Sequence, residues 1–132
     1  MAYAQWVTIT VVAKNCNLSI KNATLAWGKF HQCGNKDKEI PSSEINTIVI
    51  PAGNSATICA CGRSDAASGT EGHIDIYDSE TRIGNYYWDC PWGSKPYTST
   101  WSPASSDGYI AQCTGGNLDL GLGNITITIA KF

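Results

Sequence analysis

The densest chemistry in the sequence lies between Tyr86 and Tyr97. There YYWDCPWGSKPY gathers three tyrosines, two tryptophans, a cysteine and a lysine around two prolines and a glycine. On a strand ending at Asp89, Tyr86 and Trp88 share one face and Tyr87 shares the other with Asp89. One face has to pack into a core, so part of this aromatic supply is structural. Trp92 differs, because Pro91 precedes it and Gly93 and Ser94 follow, which reads as a turn. An indole face attracts an ammonium group, and Lys95 can attract a phosphate as a point charge. Together they suit a zwitterionic phospho-headgroup, and indole also favours the membrane–water interface. The competing role for Trp92 is a cap over the open end of a core.

Other chemistries fit less well. Six cysteines and two histidines, His31 and His73, supply nucleophiles and bases, but the sequence has no cysteine-protease signature and no Gly-x-Ser-x-Gly elbow. No catalytic residue is assigned. His31-x-Cys33 and Cys59-x-Cys61 resemble metal-ligand pairs, yet zinc sites usually place two to four residues between paired ligands. No metal and no cofactor are expected. The carboxylates Glu71, Asp75, Asp78, Glu80 and Asp89 are spread over strands and loops. Nothing in their spacing fixes the set separation that a glycosidase needs.

Composition narrows the field further. The net charge is −2, and the nine basic residues are scattered from Lys14 to Lys131 without a cluster. That argues against nucleic acid and against simple electrostatic attachment to anionic lipid. The start, MAYAQWVTITVVAKN, has no basic segment, and its apolar residues alternate with threonine. It reads as neither a signal peptide nor a membrane helix. The expected location is soluble, either cytoplasmic or released by a non-classical route to act at target membrane surfaces. Thiols in that setting stay reduced, and six cysteines allow fifteen full pairings among which the sequence does not choose. The three Asn-x-Ser/Thr sequons, at Asn17, Asn22 and Asn124, matter only in a secretory route.

The elements that must position these residues are strands. Alternation predicts strands over Gln5–Ala13 and Leu18–Trp27, the second a hairpin partner of the first. Residues 28–43 read as a polar loop punctuated by glycine and proline. INTIVI (45–50) and ATICACG (56–62) read as a second hairpin, followed by a loop, RSDAASGTEG. HIDIYD (73–78), IGNYYW (83–88), DGYIAQCT (107–114) and NITITIAKF (124–132) complete about eight strands, with GGNLDLGLG a Gly-rich loop before the last. No amphipathic helix, repeat or linker stands out. The fold class is all-β, a single-domain antiparallel β-sandwich spanning residues 1–132.

Five segments carry a resemblance: AYAQWV at Ala2–Val7, WGK at Trp27–Lys29, NKDKEI at Asn35–Ile40, CGRSDAASGTEG at Cys61–Gly72 and WDCPWGSK at Trp88–Lys95. In order and over most of the chain, they resemble the aegerolysin family of small acidic β-sandwich proteins. The resemblance implies binding to membrane lipids, notably sphingomyelin with cholesterol or ceramide phosphoethanolamine. It also implies haemolytic activity as the targeting half of a two-component pore, with a larger partner of the membrane-attack-complex/perforin type. Carried over residue by residue, it puts the headgroup on Trp27, Tyr87, Trp92 and Lys95, with Trp6, Ser68 and Glu71 as further membrane contacts. Cys61 and Cys90 belong to the shared motifs, whereas Cys16, Cys33, Cys59 and Cys113 are additional. Some members carry Glu where this chain has Ser68. The alternative reading is a carbohydrate-binding module of similar shape, since aromatic platforms also stack on sugars.

Overall fold

A computed structural model describes residues 2–93, 95–104, 107–117 and 121–132. Ser94 of the aromatic loop and residues 118–120 of the Gly-rich loop lie outside the described residues. Two sheets face each other. The six-stranded sheet holds β1 (Trp6–Lys14), β3 (Lys29–Gln32), β4 (Asn35–Ile40), β6 (Ser55–Cys61), β10 (Tyr109–Gly115) and β11 (Gly123–Lys131), in the order β10-β11-β1-β6-β3-β4. The five-stranded sheet holds β2 (Leu18–Trp27), β5 (Val49–Ile50), β7 (Thr70–Asp78), β8 (Thr81–Cys90) and β9 (Thr98–Pro103), in the order β5-β2-β7-β8-β9. The two packed sheets are those of the β-sandwich expected from sequence, with eleven strands among the described residues where about eight are expected.

Alternation builds the core between the sheets. Val7, Ile9, Val11 and Ala13 of β1 and Ile125, Ile127 and Ile129 of β11 point inward and are buried. The threonines between them point out. Ile74 and Ile76 of β7 and Tyr86 and Trp88 of β8 supply the other side. Trp88 stacks on Tyr86 with ring centroids 6.0 Å apart and meets Phe30 of β3 edge-on at 6.1 Å, which ties the two sheets together. One pairing is not antiparallel: β1 and β11 run parallel in the middle of the larger sheet.

The two predicted hairpins do not form. β1 pairs with β6 and β11, while β2 pairs with β5 and β7 in the other sheet. The turn between them crosses from sheet to sheet, with Asn15 in the left-handed region (φ 59°) and Cys16 buried. β5 and β6 likewise part, β5 joining β2 and β6 joining β1 and β3. Each strand has a single apolar face, and the shared core is satisfied when successive strands approach it from opposite sides.

The predicted strand over 45–50 is shorter than expected: Ser42–Ile45 forms one helical turn (α1), and only Val49–Ile50 enters the sheet. The polar loop over 28–43 contains β3 and β4, and β9 was not foreseen.

Gly28 makes the crossover from β2 to β3. Its φ is +87°, and a Cβ there would lie 2.5 Å from the Cys61 carbonyl oxygen. Both the backbone conformation and the close approach require glycine.

Candidate functional site

A cleft of about 370 Å³ opens at the end of the sandwich beside this crossover. Strand register assembles its polar floor. Trp27 at the end of β2 lies opposite Glu71 near the start of β7, and Glu71 lies opposite Asp89 near the end of β8. Indole and two carboxylates therefore stand in one row across three strands, on the outer face of the smaller sheet. Pro91 ends β8, and the chain turns at Gly93 (φ +95°) before reaching Lys95, so Trp92 and Lys95 stand on a loop above that row. Trp27 is 59% exposed and Trp92 41%. These are large apolar surfaces to leave in water at one spot.

The opposite wall comes from the loop that contains RSDAASGTEG, through Ser68, Gly69 and Thr70. Its backbone lies hard against the end of β8: a Cβ on Gly69 would sit 1.8 Å from the Cys90 carbonyl oxygen. Arg63 anchors the other end of this loop, donating to both carboxylate oxygens of Glu39 on β4 at 2.8 and 2.9 Å. That bidentate hydrogen bond holds the Glu39 carboxyl below the usual carboxylate range. Behind the cleft, the buried Trp88 donates from Nε1 to Thr70 Oγ1 at 3.1 Å.

The electrostatics are mixed. Tyr87 donates its hydroxyl to Glu71 Oε2. This hydrogen bond to a carboxylate, with burial second, pushes the Tyr87 phenol up to about 12. Burial and then the Glu71 charge push the Asp89 carboxyl up, while Lys95 pulls it the other way. The cleft thus offers two indole surfaces, two acceptor carboxylates and one ammonium.

Of the residues singled out in the sequence, Trp27, Trp92, Lys95, Ser68 and Glu71 line this cleft together. Tyr87 does not line it and reaches it through Glu71. Trp6 does not join them: it lies at the start of β1 on the other sheet, opposite Cys61. Asp89, which stood only among the scattered carboxylates, lines the cleft beside Glu71. The signal for it was its shared strand face with Tyr87.

The cysteines divide. Cys33 and Cys59 form a disulfide, one of the pairings among which the sequence does not choose. β6 brings Cys59 beside the turn that carries Cys33. Cys16, Cys61, Cys90 and Cys113 are free, and burial pushes each of these thiols up. A raised thiol pKa disfavours the nucleophilic thiolate. Among the described residues, no three His, Cys, Asp or Glu side chains are grouped to hold a metal ion.

Fold and cleft together define a small β-sandwich protein with an aromatic cleft at one end. The chain belongs to the aegerolysin family, whose pattern residues 4–132 match. It is 51% identical over 96 residues to Asp-hemolysin of Aspergillus fumigatus, a stretch covering 71% of this chain and 69% of that one. It is 42% identical to Ostreolysin A6 of Pleurotus ostreatus, over 99% of this chain and 98% of that one. Among solved structures, RahU protein in complex with a TRIS molecule superposes with a TM-score of 0.93 at 39% identity, covering 99% of this chain and 98% of that one.

Proposed function

We propose that this protein binds membrane lipid through the two-indole cleft. Its ligand is the headgroup of a sphingolipid, either sphingomyelin in the presence of cholesterol or ceramide phosphoethanolamine. The observation that carries this is the pairing of exposed Trp27 and Trp92 with carboxylates on one side and Lys95 on the other. A zwitterionic headgroup needs both halves. Its ammonium is attracted to indole faces and to Glu71 and Asp89, and its phosphate to the Lys95 ammonium. The RahU relative crystallises with TRIS, itself a small ammonium. The indoles also suit the interface region of a bilayer, where the rest of their surface is covered. We read the cleft as a binding site and not a catalytic one.

The haemolysin name of one relative fits a role in membrane attack. Among the described residues no helix is long and apolar enough to cross a membrane. In this reading the chain is the targeting component, and a larger partner of the membrane-attack-complex/perforin type supplies the pore.

The test is cosedimentation with vesicles of sphingomyelin–cholesterol, of ceramide phosphoethanolamine and of phosphatidylcholine alone. The protein is expected to pellet with one or both sphingolipid vesicles, not with phosphatidylcholine, and to lose little binding in moderate salt, because its basic charge is sparse. Equal binding to all three, or binding abolished by salt, rejects the headgroup reading. Efficient dye release by the purified chain alone rejects the need for a partner.

A further inference from the structure

A second, shallower cleft of about 620 Å³ lies on the outer face of the six-stranded sheet, and the headgroup reading does not use it. Its floor crosses three strands, with Thr8 of β1 opposite Cys59 of β6 and Cys59 opposite His31 of β3. Its rim is the turn after β3 and the start of β4, from Gly34 to Asp37. The Cys33–Cys59 disulfide clips that rim to the floor. Trp6 and Tyr3 supply the aromatic side.

His31 is only 5% exposed. Its Nδ1 lies 2.8 Å from the Gln32 carbonyl oxygen, which can only accept, so Nδ1 carries the proton. Burial disfavours the imidazolium. Nε2 is then a bare acceptor, and it is buried with no protein partner. A buried acceptor of this kind calls for a donor from outside the chain.

The rim carries both signs of charge: Lys36 and Asp37 line it, and the buried Lys29 behind it donates to the Tyr3 hydroxyl at 2.8 Å. Lys36 sits 2.5 Å from the Tyr3 carbonyl oxygen and 5.6 Å from the centre of the Trp6 ring. Asp37 accepts the Tyr3 hydroxyl at Oδ1, 2.8 Å away. Asn35 Oδ1 accepts the Asp37 backbone N–H at 3.1 Å. Among the described residues, Asp37 Oδ2 and the Asn35 amide N–H groups have no partner. The cleft therefore presents acceptors, donors and an indole, with one positive and one negative side chain.

That inventory selects among ligands. A fully deprotonated anion has no proton for His31 Nε2 and would meet Asp37. A simple ammonium would meet Lys36. A neutral polyol matches every group: each hydroxyl donates and accepts, and the C–H face of a pyranose is apolar enough to lie on indole. We propose that this cleft is a saccharide site, binding a hexose through Trp6, His31, Asn35 and Asp37. The saccharide site stands independently of the headgroup reading.

Saturation-transfer NMR with the methyl glycosides of glucose, galactose, mannose and N-acetylglucosamine tests it. Transfer to at least one is expected. Asp37→Ala, on the exposed rim, should weaken it by about tenfold, the equivalent of one net hydrogen bond. Trp6→Ala should abolish it, with a thermal melt run alongside because Trp6 packs against the Gly121 backbone. Trp92→Ala should leave it unchanged. A variant that loses the sugar yet still pellets with sphingolipid vesicles separates the two sites. No transfer from any of the four glycosides overturns the proposal. So does transfer that survives both Trp6→Ala and Asp37→Ala, or that is lost in Trp92→Ala and thereby belongs to the other cleft.

Discussion

Trp27→Ala is the sharpest test of the headgroup cleft, because this indole contributes more to a ligand than to the fold. A tryptophan side chain offers up to about 250 Å². At 59% exposure, about 150 Å² of Trp27 is free in the unbound protein. Burying it is worth at most about 3.75 kcal/mol at about 25 cal/mol per Å², about 500-fold in Kd. Trp92, 41% exposed, offers about 100 Å² and a ceiling of about 2.5 kcal/mol, or about 70-fold. Trp88→Ala is the internal control. That side chain is fully buried and satisfies Thr70, so its removal should cost about 3–5 kcal/mol of stability. The assay is vesicle cosedimentation on sphingomyelin–cholesterol and ceramide phosphoethanolamine, with a melt for each variant. Trp27→Ala should bind worst while melting close to the parent, and Trp88→Ala should melt early. If Trp27→Ala and Trp92→Ala both pellet as well as the parent, lipid does not bind in this cleft. If Trp92→Ala melts early and binds normally once folded, Trp92 is a cap on the core.

Lys95→Ala should weaken vesicle binding less than Trp92→Ala, because an exposed ammonium is partly screened; a larger loss would mean that phosphate recognition dominates. Asp89, raised by burial and by Glu71, should take up a proton as pH falls through a range above that of ordinary carboxylates. Ammonium binding should weaken there, and Asp89→Asn should flatten the profile. The same raised value means that the ionised carboxylate opposes folding at neutral pH, so Asp89→Asn should raise the Tm; a fall would contradict the assignment. Reduction of Cys33–Cys59, separated by 26 residues, should cost about 3.5 kcal/mol and lower the Tm on the order of 10 °C. Vesicle binding should survive reduction, since neither cysteine lines the headgroup cleft; loss of binding by folded, reduced protein would refute this. Gly69→Ala has no room against the Cys90 carbonyl oxygen, so calorimetry should find a lower Tm, and cosedimentation weaker binding, than in the parent.

Much of this architecture was legible because alternation reports a half-buried strand directly. WVTITVVAK and NITITIAK declare their inward faces, and YYWDC separates buried Trp88 from outward Tyr87 and Asp89. Pro91 and Gly93 marked Trp92 as a loop residue. What failed was pairing, because a strand's own pattern does not name its neighbour. Neither crossing between sheets has a local signature, so two hairpins were expected where none exist. NKDKEI has the pattern of a loop because β4 is an edge strand, and edge strands carry charges that discourage further pairing. The row of Trp27, Glu71 and Asp89 depends on register across three strands, which separates neighbours in space by tens of positions in sequence. The disulfide was hidden for the same reason: β6 brings Cys59 beside the turn that carries Cys33.

The parallel pairing of β1 with β11 gives the molecule a polarity useful for attaching anything to it. β1 starts beside the cleft lined by Trp6, and β11 runs with it, paired from Gly123 to Ala130 and ending at Lys131. At roughly 3.3 Å per residue, that carries the chain about 30 Å along the sandwich. Lys131 and Tyr109 there meet Asp78, at the end of β7 remote from Glu71. A fluorophore or fused domain joined after Phe132 therefore sits at the pole away from both clefts, whereas one joined ahead of Ala2 lies at their pole. Immobilised by its C-terminal end, the protein should present both clefts to vesicles; immobilised by its N-terminal end, it should present them poorly.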